Sequence, residues 1–345
     1  MDASAPDMLH PTMRAADETF LVFAGMRDEG PFIVEWVSWY RMLGFELLIA
    51  TNDCTDHSPD LLDTLERHGW LTHVRHTPKP GQHPKMSAYR AGRQHPLSSR
   101  ADWVLVCDVD ELLVLHAADT IRDFIGDGER DFLGMAINWR CFGTAGRPRY
   151  QDGLVHEQFR RCGPVDMTPN GSFKSIFRRP RAFQRWSDHT PIGLNDEWGS
   201  GSNIWVNSGG RHLARFDDRS NHPIRHLFPA ERAHAAAQIN HYILRSQDHF
   251  AMKKGTPSPS AGKDRYTNRF YKAHNRNGYR DASALRFSGR FAAIHAEAMA
   301  LPGVRRLHHL CCADYVARLC AHQGKDPKTD ERWALHVEAA GRADQ

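Results

Sequence analysis

The sequence predicts an α/β fold: a mostly parallel twisted sheet flanked by helices, with a helical C-terminal extension. Three observations carry this. Over the first third of the chain, short apolar runs alternate with segments of helical periodicity, the pattern of successive βαβ units. The runs end in polar clusters, "RDEG", "NDCTD" and "DVDE", and right-handed crossovers bring such strand ends to one edge, where open sheets bind ligands. From about residue 290 the pattern is helical, with a break at Pro302-Gly303.

The elements follow in order. "TFLVFAGM" is a strand that stops at "RDEG". Pro31 suits a first helical turn, and Phe32, Trp36, Trp39, Tyr40 and Leu43 recur at helical spacing up to Gly44. "FELLIAT" is a second strand, ending in the turn-rich "NDCTDHSPD". "DLLDTLERHG" is a helix closed by Gly69, "WLTHVRH" a third strand, "HPKMSAYRAGRQHPL" a helix and "DWVLVCDVD" the fourth strand. Beyond residue 115, "FLGMAINWRCFG" reads as a strand, and "SFKSIFRRPRAF" and "GSNIWVNSGGRHLARF" as shorter ones. "ERAHAAAQINHYILRSQDHFAMKKG" reads as one helix ending at Gly255. The expected organisation is a polar leader (1–17), a main domain (18–255, with halves 18–116 and 117–255), a basic mobile segment (256–285) and a helical region (286–345).

With 345 residues, 41% hydrophobic and 25% charged, the chain can bury a real core. A net charge of +4 is too small to argue for nucleic acid. Seven cysteines with no C-x-x-C pair fit a reducing compartment better than a disulfide framework. The opening "MDASAPDMLHPTMRAADE" lacks the basic and apolar regions of a secretory signal, and no uncharged apolar stretch reaches about 18 residues. A cytoplasmic protein without a spanning segment is expected, with peripheral membrane contact left open.

"WVLVCDVDELLVL" sets Asp108, Asp110 and Glu111 close together after an apolar run. Like charges that near repel unless a cation compensates them. On an extended chain Asp108 and Asp110 face the same way, and two hard oxygen ligands suit Mg²⁺ or Mn²⁺ bridging to a diphosphate. The plain alternative is a solvated acidic loop.

"RDEGPFIVEWVSWYRMLGFELLIATNDCTDHS", "KMSAYRAG" and "ADWVLVCDVDELLVL" together resemble the glycosyltransferase family 2-like group of the GT-A superfold, in motif order as well as residue type. The resemblance runs over residues 20–116, with weaker echoes in "FGTAG", "GLVHEQF", "KSIFRRP" and "INHYILRSQDHFAMKKG". It implies a GT-A-like sheet with a nucleotide-sugar half and an acceptor half. It also implies a metal-dependent, inverting, hexosyltransferase-type enzyme of the polysaccharide-building kind. Such an enzyme moves sugar from a nucleotide-diphosphate donor, UDP-sugar foremost, to a saccharide or glycan acceptor. By this resemblance Arg27 and Glu29 flank the base, Asn52 with Asp53 or Asp56 meets base or ribose, and Lys85 joins the nucleotide-binding set. Asp108 contacts ribose or metal, Asp110 ligates Mn²⁺ or Mg²⁺, and His241 completes the metal shell. Thr51, Cys54 and His57 stand where many relatives have Asp, Ser and Gly, which leaves the base unread.

Lys174 suits a point cation balancing phosphate, or a solvated surface lysine. Displacement at an anomeric carbon needs a carboxylate near the acceptor hydroxyl. Glu157 in "GLVHEQF" is the first choice for that base and Asp188 in "SDHTP" the rival. The basic, aromatic stretch from Lys253 to Arg280 reads as a lid over the diphosphate rather than a nucleic-acid surface. His308-His309 and Cys311-Cys312 match no usual zinc spacing and read as helix packing. The competing functions are a non-catalytic carbohydrate- or nucleotide-binding protein on the same fold, a D-x-D phosphatase, which expects its pair near the first strand, and a nucleotidyltransferase, which expects a Gly-rich phosphate loop.

Overall fold

The computed structural model describes residues 18–126, 131–195, 203–217, 224–256 and 264–343; the expected leader and residues 257–263 of the basic segment lie outside them. The first half runs β1 (Phe20–Met26), α1 (Gly30–Met42), β2 (Glu46–Thr51), α2 (Ser58–Arg67), β3 (Thr72–Arg75), α3 (Pro84–Gln94), α4 (Pro96–Arg100) and β4 (Trp103–Val106). Next come β5 (Glu111–Leu115), α5 (Ile121–Ile125), β6 (Gly134–Cys141), α6 (Val155–Gln158), β7 (Arg161–Cys162), β8 (Phe173–Arg178), β9 (Phe183–Arg185), β10 (Ile192–Leu194) and β11 (Trp205–Asn207). The chain closes with β12 (Ala237–His241), α7 (Gln247–Lys253), α8 (Asn268–His274), β13 (Tyr279–Arg280), α9 (Ser288–Ala300), α10 (Val304–His322) and α11 (Glu331–Arg342).

The main sheet has the order β3-β2-β1-β4-β8-β6-β12-β5, with β11 also paired to β6. β3, β2, β1 and β4 are parallel, and β6, β11 and β12 share their direction. Reversal is confined to β8 and β5. The result is the expected α/β architecture of a mostly parallel sheet flanked by helices, with a helical C-terminal region.

β1 lies inside the sheet, with Val22 between Leu47 of β2 and Leu105 of β4. Its side chains alternate between the two faces. Phe20, Val22 and Ala24 join the larger core with α1, while Leu21 and Phe23 join the smaller one with Ala88 and Tyr89 of α3. α1 starts with Pro31 in its first turn and ends before Gly44, whose φ of 90° suits glycine. Its Trp39 indole N–H donates to the carbonyl of Leu113 at 2.8 Å, locking helix to sheet.

The α3 contact is tight enough to give a stability prediction. A Cβ on Gly92 would stand 2.2 Å from Cε2 of buried Phe23. Gly92→Ala is expected to destabilise by about 1–3 kcal/mol through overpacking, despite a helix-propensity gain of about 1 kcal/mol. Urea unfolding checks this, and a stabilised variant would contradict it.

One sequence expectation changes. The single helix over "ERAHAAAQINHYILRSQDHFAMKKG" does not form. Ala237–His241 is instead β12, buried at every position between β6 and β5, and a short α7 follows. Alanine favours helix locally, but an open slot with partners on both sides outweighs that weak preference. The basic segment, where described, carries α8 and β13, and buried Tyr266 packs with Phe250 and Phe270. These aromatic contacts tie the described part of the segment to α7.

The C-terminal helices are not a detached extension. Phe291 of α9 packs on Trp39, and Tyr315 of α10 on Phe32, inside the larger core. Among the described residues no helix is long and apolar enough to cross a membrane.

Candidate functional site

The C-terminal ends of β1, β2 and β4 open into a cleft of about 1210 Å³. Of the residues singled out from the sequence, Arg27, Glu29, Asn52, Lys85, Asp108, Asp110, Lys174, Asp188 and His241 line it. Asp53, Asp56 and Glu157 do not.

After β4 the chain does not run on as an extended strand through the aspartates. It turns at Asp108–Asp110, with Glu111 N–H donating to the carbonyl of Asp108 at 3.1 Å, and resumes as β5. The alternation argument therefore fails, and the acidic groups separate by partner. Asp108 faces two lysines, and Asp110 faces His241.

Lys174 comes from β8 and is fully buried, so the surface-lysine reading is overturned. Its Nζ lies 2.9 Å from Asp108 Oδ2 and 3.0 Å from Glu111 Oε2. Lys85 from α3 reaches Asp108 Oδ1 at 3.0 Å and also meets Asp188 Oδ1, to which Tyr89 donates its hydroxyl proton. The backbone N–H of Asp108 donates to Glu111 Oε2 at 2.7 Å. The cations expected beside this acidic cluster are thus two lysines. Both Asp108 oxygens are held by ammonium groups, so Asp108 and Asp110 differ in their partners.

Two ammonium groups serve three carboxylates, and the protonation balance reflects it. Burial alone would raise Asp108, but Lys174 and then Lys85 hold it far below the usual carboxylate range. Asp188 is opposed in the same way by burial and Lys85, and falls to about 2. Glu111 has the deepest burial and the weakest compensation, and rises to about 7. It was not singled out as a site residue because a Glu beginning an apolar strand carries no signal of a buried lysine beyond residue 170 in the chain.

Asp110 is different. Among the described residues its carboxylate receives no hydrogen bond, and His241 Nε2 stands 3.8 Å from Oδ2. His241 ends β12, opposite Glu111 of β5, and packs at a tilt against Trp139 with centroids 4.1 Å apart. Burial, only partly offset by Asp110, lowers His241 to about 3 and keeps the imidazole neutral. The 3.8 Å gap is too long for a hydrogen bond. It is short enough for both atoms to reach one divalent cation at about 2.1 Å each. Asp110 and His241 therefore fit a cation, and they fit it as a partial shell that a ligand must complete.

The remaining residues divide between wall and scaffold. Glu29 pairs with buried Arg245 at 2.9 Å, whose guanidinium lies 3.5 Å over the Phe32 ring. Asp56 accepts from Ser58 N–H and hydroxyl at 3.0 and 2.8 Å, so it organises the start of α2 outside the cleft lining. Asp53 is exposed in the loop after β2, accepting from Asn52 Nδ2 at 2.9 Å. Glu157 is exposed on α6, while its neighbour His156 is buried against Glu35 at 2.6 Å. The first choice of base is thus displaced from the cleft, and the rival Asp188 is in its wall.

The sequence did not flag Trp139, His189, Tyr315 or Arg318, all of which line the cleft. Tyr315 and Arg318 arrive on α10, and Arg318 Nη1 donates to the carbonyl of Asp28 at 2.9 Å. Nothing local marks them; only the docking of α10 on α1 brings them here. Arg185, Arg225, Lys253, Arg265 and Arg318 make the wall basic, which favours an anionic ligand.

No family model matches the chain, and no curated protein matches it. Solved structures give distant likenesses. S. aureus TarS 1–349 is 12% identical over 95% of this chain and 92% of that one, with a TM-score of 0.33. Glucosyl-3-phosphoglycerate synthase from Mycobacterium tuberculosis, in complex with Mn²⁺, UDP-glucose and phosphoglyceric acid, is 14% identical over 61% and 74%, with a TM-score of 0.30. A putative glucose-1-phosphate thymidylyltransferase from Bacillus anthracis is 13% identical over 47% and 71%, with a TM-score of 0.27. Values this low carry nothing about substrate, metal or mechanism.

Proposed function

We propose that this protein is a metal-dependent glycosyltransferase that moves a sugar from a nucleotide-diphosphate donor, a UDP-sugar, to a saccharide or glycan acceptor with inversion. The observation that carries the reading is Asp110 facing neutral His241 across 3.8 Å, in a basic cleft at the strand ends of a parallel sheet. The resemblance of the first third of the chain to family 2-like glycosyltransferases supports it from the sequence side.

Asp110 and His241 would hold Mn²⁺ or Mg²⁺, which when bound supplies positive charge to the departing diphosphate. The protein's own groups do the rest. Arg318, Lys253 and Arg265 balance phosphate charge from the wall. Asp108, kept ionised by Lys85 and Lys174, offers acceptor lone pairs to a ribose or sugar hydroxyl. Asp188 replaces Glu157 as the base. Its Oδ1 is occupied by Lys85 and Tyr89, while Oδ2 has no hydrogen-bond partner among the described residues. The acceptor O–H proton passes to Oδ2 as the new C–O bond forms and the sugar–diphosphate bond breaks.

Incubation with a panel of nucleotide sugars and Mn²⁺, following nucleotide diphosphate release, tests the reaction class. Binding of UDP without release in the presence of any acceptor would favour the non-catalytic binding protein. Asp188→Asn is expected to lower turnover by about 10²-fold or more with donor affinity little changed. Glu157→Gln should leave turnover near wild type. Normal transfer by Asp188→Asn would remove it as the base.

A further inference from the structure

Away from the cleft the fold gathers a second group of metal-ligating side chains. Asp152 comes from the segment before α6, His308, His309 and Cys312 from α10, and His336 from α11. His308 and Cys312 are four residues apart and share one helical face. His308 Nε2 lies 3.4 Å from Asp152 Oδ2 and 3.6 Å from Cys312 Sγ. The ligand atoms of Asp152, Cys312 and His336 all fall within 4.8 Å of one another, as do those of Asp152, His308 and His309. His309 Nδ1 is 3.2 Å from His336 Nδ1. Gly153 N–H donates to Asp152 Oδ1 at 2.8 Å, leaving Oδ2 to His308. His308, Cys312 and His336 are buried, and the Asp152 side chain is 30% exposed.

The Asp152 contact is long for a charged hydrogen bond, whereas the Cys312 contact has an ordinary length for a bond to sulfur. A charged N–H···O pair usually closes to about 2.7–2.9 Å, and here one nitrogen is shared between two partners at longer range. A tetrahedral metal accounts for the two distances to His308 Nε2. Bonds of about 2.0 Å to nitrogen or oxygen and about 2.3 Å to sulfur place neighbouring ligand atoms roughly 3.3–3.5 Å apart.

We propose that Asp152, His308, Cys312 and His336 form a structural Zn²⁺ site, with His309 as the neighbour of His336. One thiolate, two imidazoles and a carboxylate suit zinc better than Mg²⁺ or Mn²⁺. On binding, the Cys312 thiol gives its proton to solvent and the S–Zn bond forms. His308 and His336 belong to separate groups that share Asp152, so the side chains would have to close in around the ion; four protein ligands then fill the shell and make the site structural. It ties α10, which carries Tyr315 and Arg318 into the cleft, to α11 and to the segment bearing Asp152. The inference does not depend on the transferase reading.

After loosely held divalent ions are stripped on chelating resin, the full chain is expected to retain about one zinc per molecule by elemental analysis. Asp110→Ala, altered only in the cleft, should retain it equally. Cys312→Ser and His336→Ala should each lower it by about 10-fold or more. Since a variant can lose metal by unfolding, Co²⁺ added to metal-free wild type gives a second readout. A thiolate-to-cobalt charge-transfer band with intense tetrahedral d–d bands is expected. Absence of that band overturns the site, as does undiminished zinc in folded Cys312→Ser.

Discussion

Lys174→Met is expected to destabilise the protein by about 3–5 kcal/mol, the usual cost of removing one member of a buried ion cluster. The methionine fills the volume, so the loss isolates charge rather than a cavity. Asp108 would keep only Lys85, and buried Glu111 would be left without a cation, since Lys85 meets Asp108 but not Glu111. Glu111→Gln in the same background should restore part of the stability by removing the less compensated carboxylate, a coupling that a double-mutant cycle reads directly. Urea unfolding of the four proteins measures it. A loss below about 1 kcal/mol for Lys174→Met would mean the lysine is not the compensating charge.

Asp110→Ala is expected to abolish metal-dependent binding of the nucleotide diphosphate and to lower turnover by about 10³-fold or more. That is the size of several kcal/mol of lost charge stabilisation at about 1.4 kcal/mol per tenfold. Calorimetric titration of UDP with and without chelator separates this from a folding defect. Wild type should lose affinity on chelation, and Asp110→Ala should bind weakly in both conditions. Asp53→Ala, outside the cleft, should behave as wild type. Chelator-insensitive UDP binding by wild type would remove the cation from the site.

The division between sequence and tertiary structure follows range. The βαβ order, α1 with its Pro31 start and Gly44 stop, and the placing of Asp108 and Asp110 at a strand-end edge were legible, because each rests on spacing within one or two elements. The helix expected over 231–255 was not, because alanine propensity is local while the slot between β6 and β5 that made β12 is assembled from residues about a hundred or more positions away. The same holds for charge. That the acidic cluster calls for cations was evident from like-charge repulsion, whereas their identity as Lys85 and Lys174 depended on α3 and β8 meeting there.

By itself the sequence determined the α/β class, the helical C-terminal region and the acidic cluster at the end of the fourth strand, since periodicity and short-range repulsion need no long-range contact. Only the tertiary structure decided which carboxylate faces His241, which of Glu157 and Asp188 lines the cleft, and that Asp152, His308, Cys312 and His336 converge. Those depend on where distant elements dock. Docking is decided by the summed burial of whole faces, such as α9 and α10 on α1, and no short motif records it.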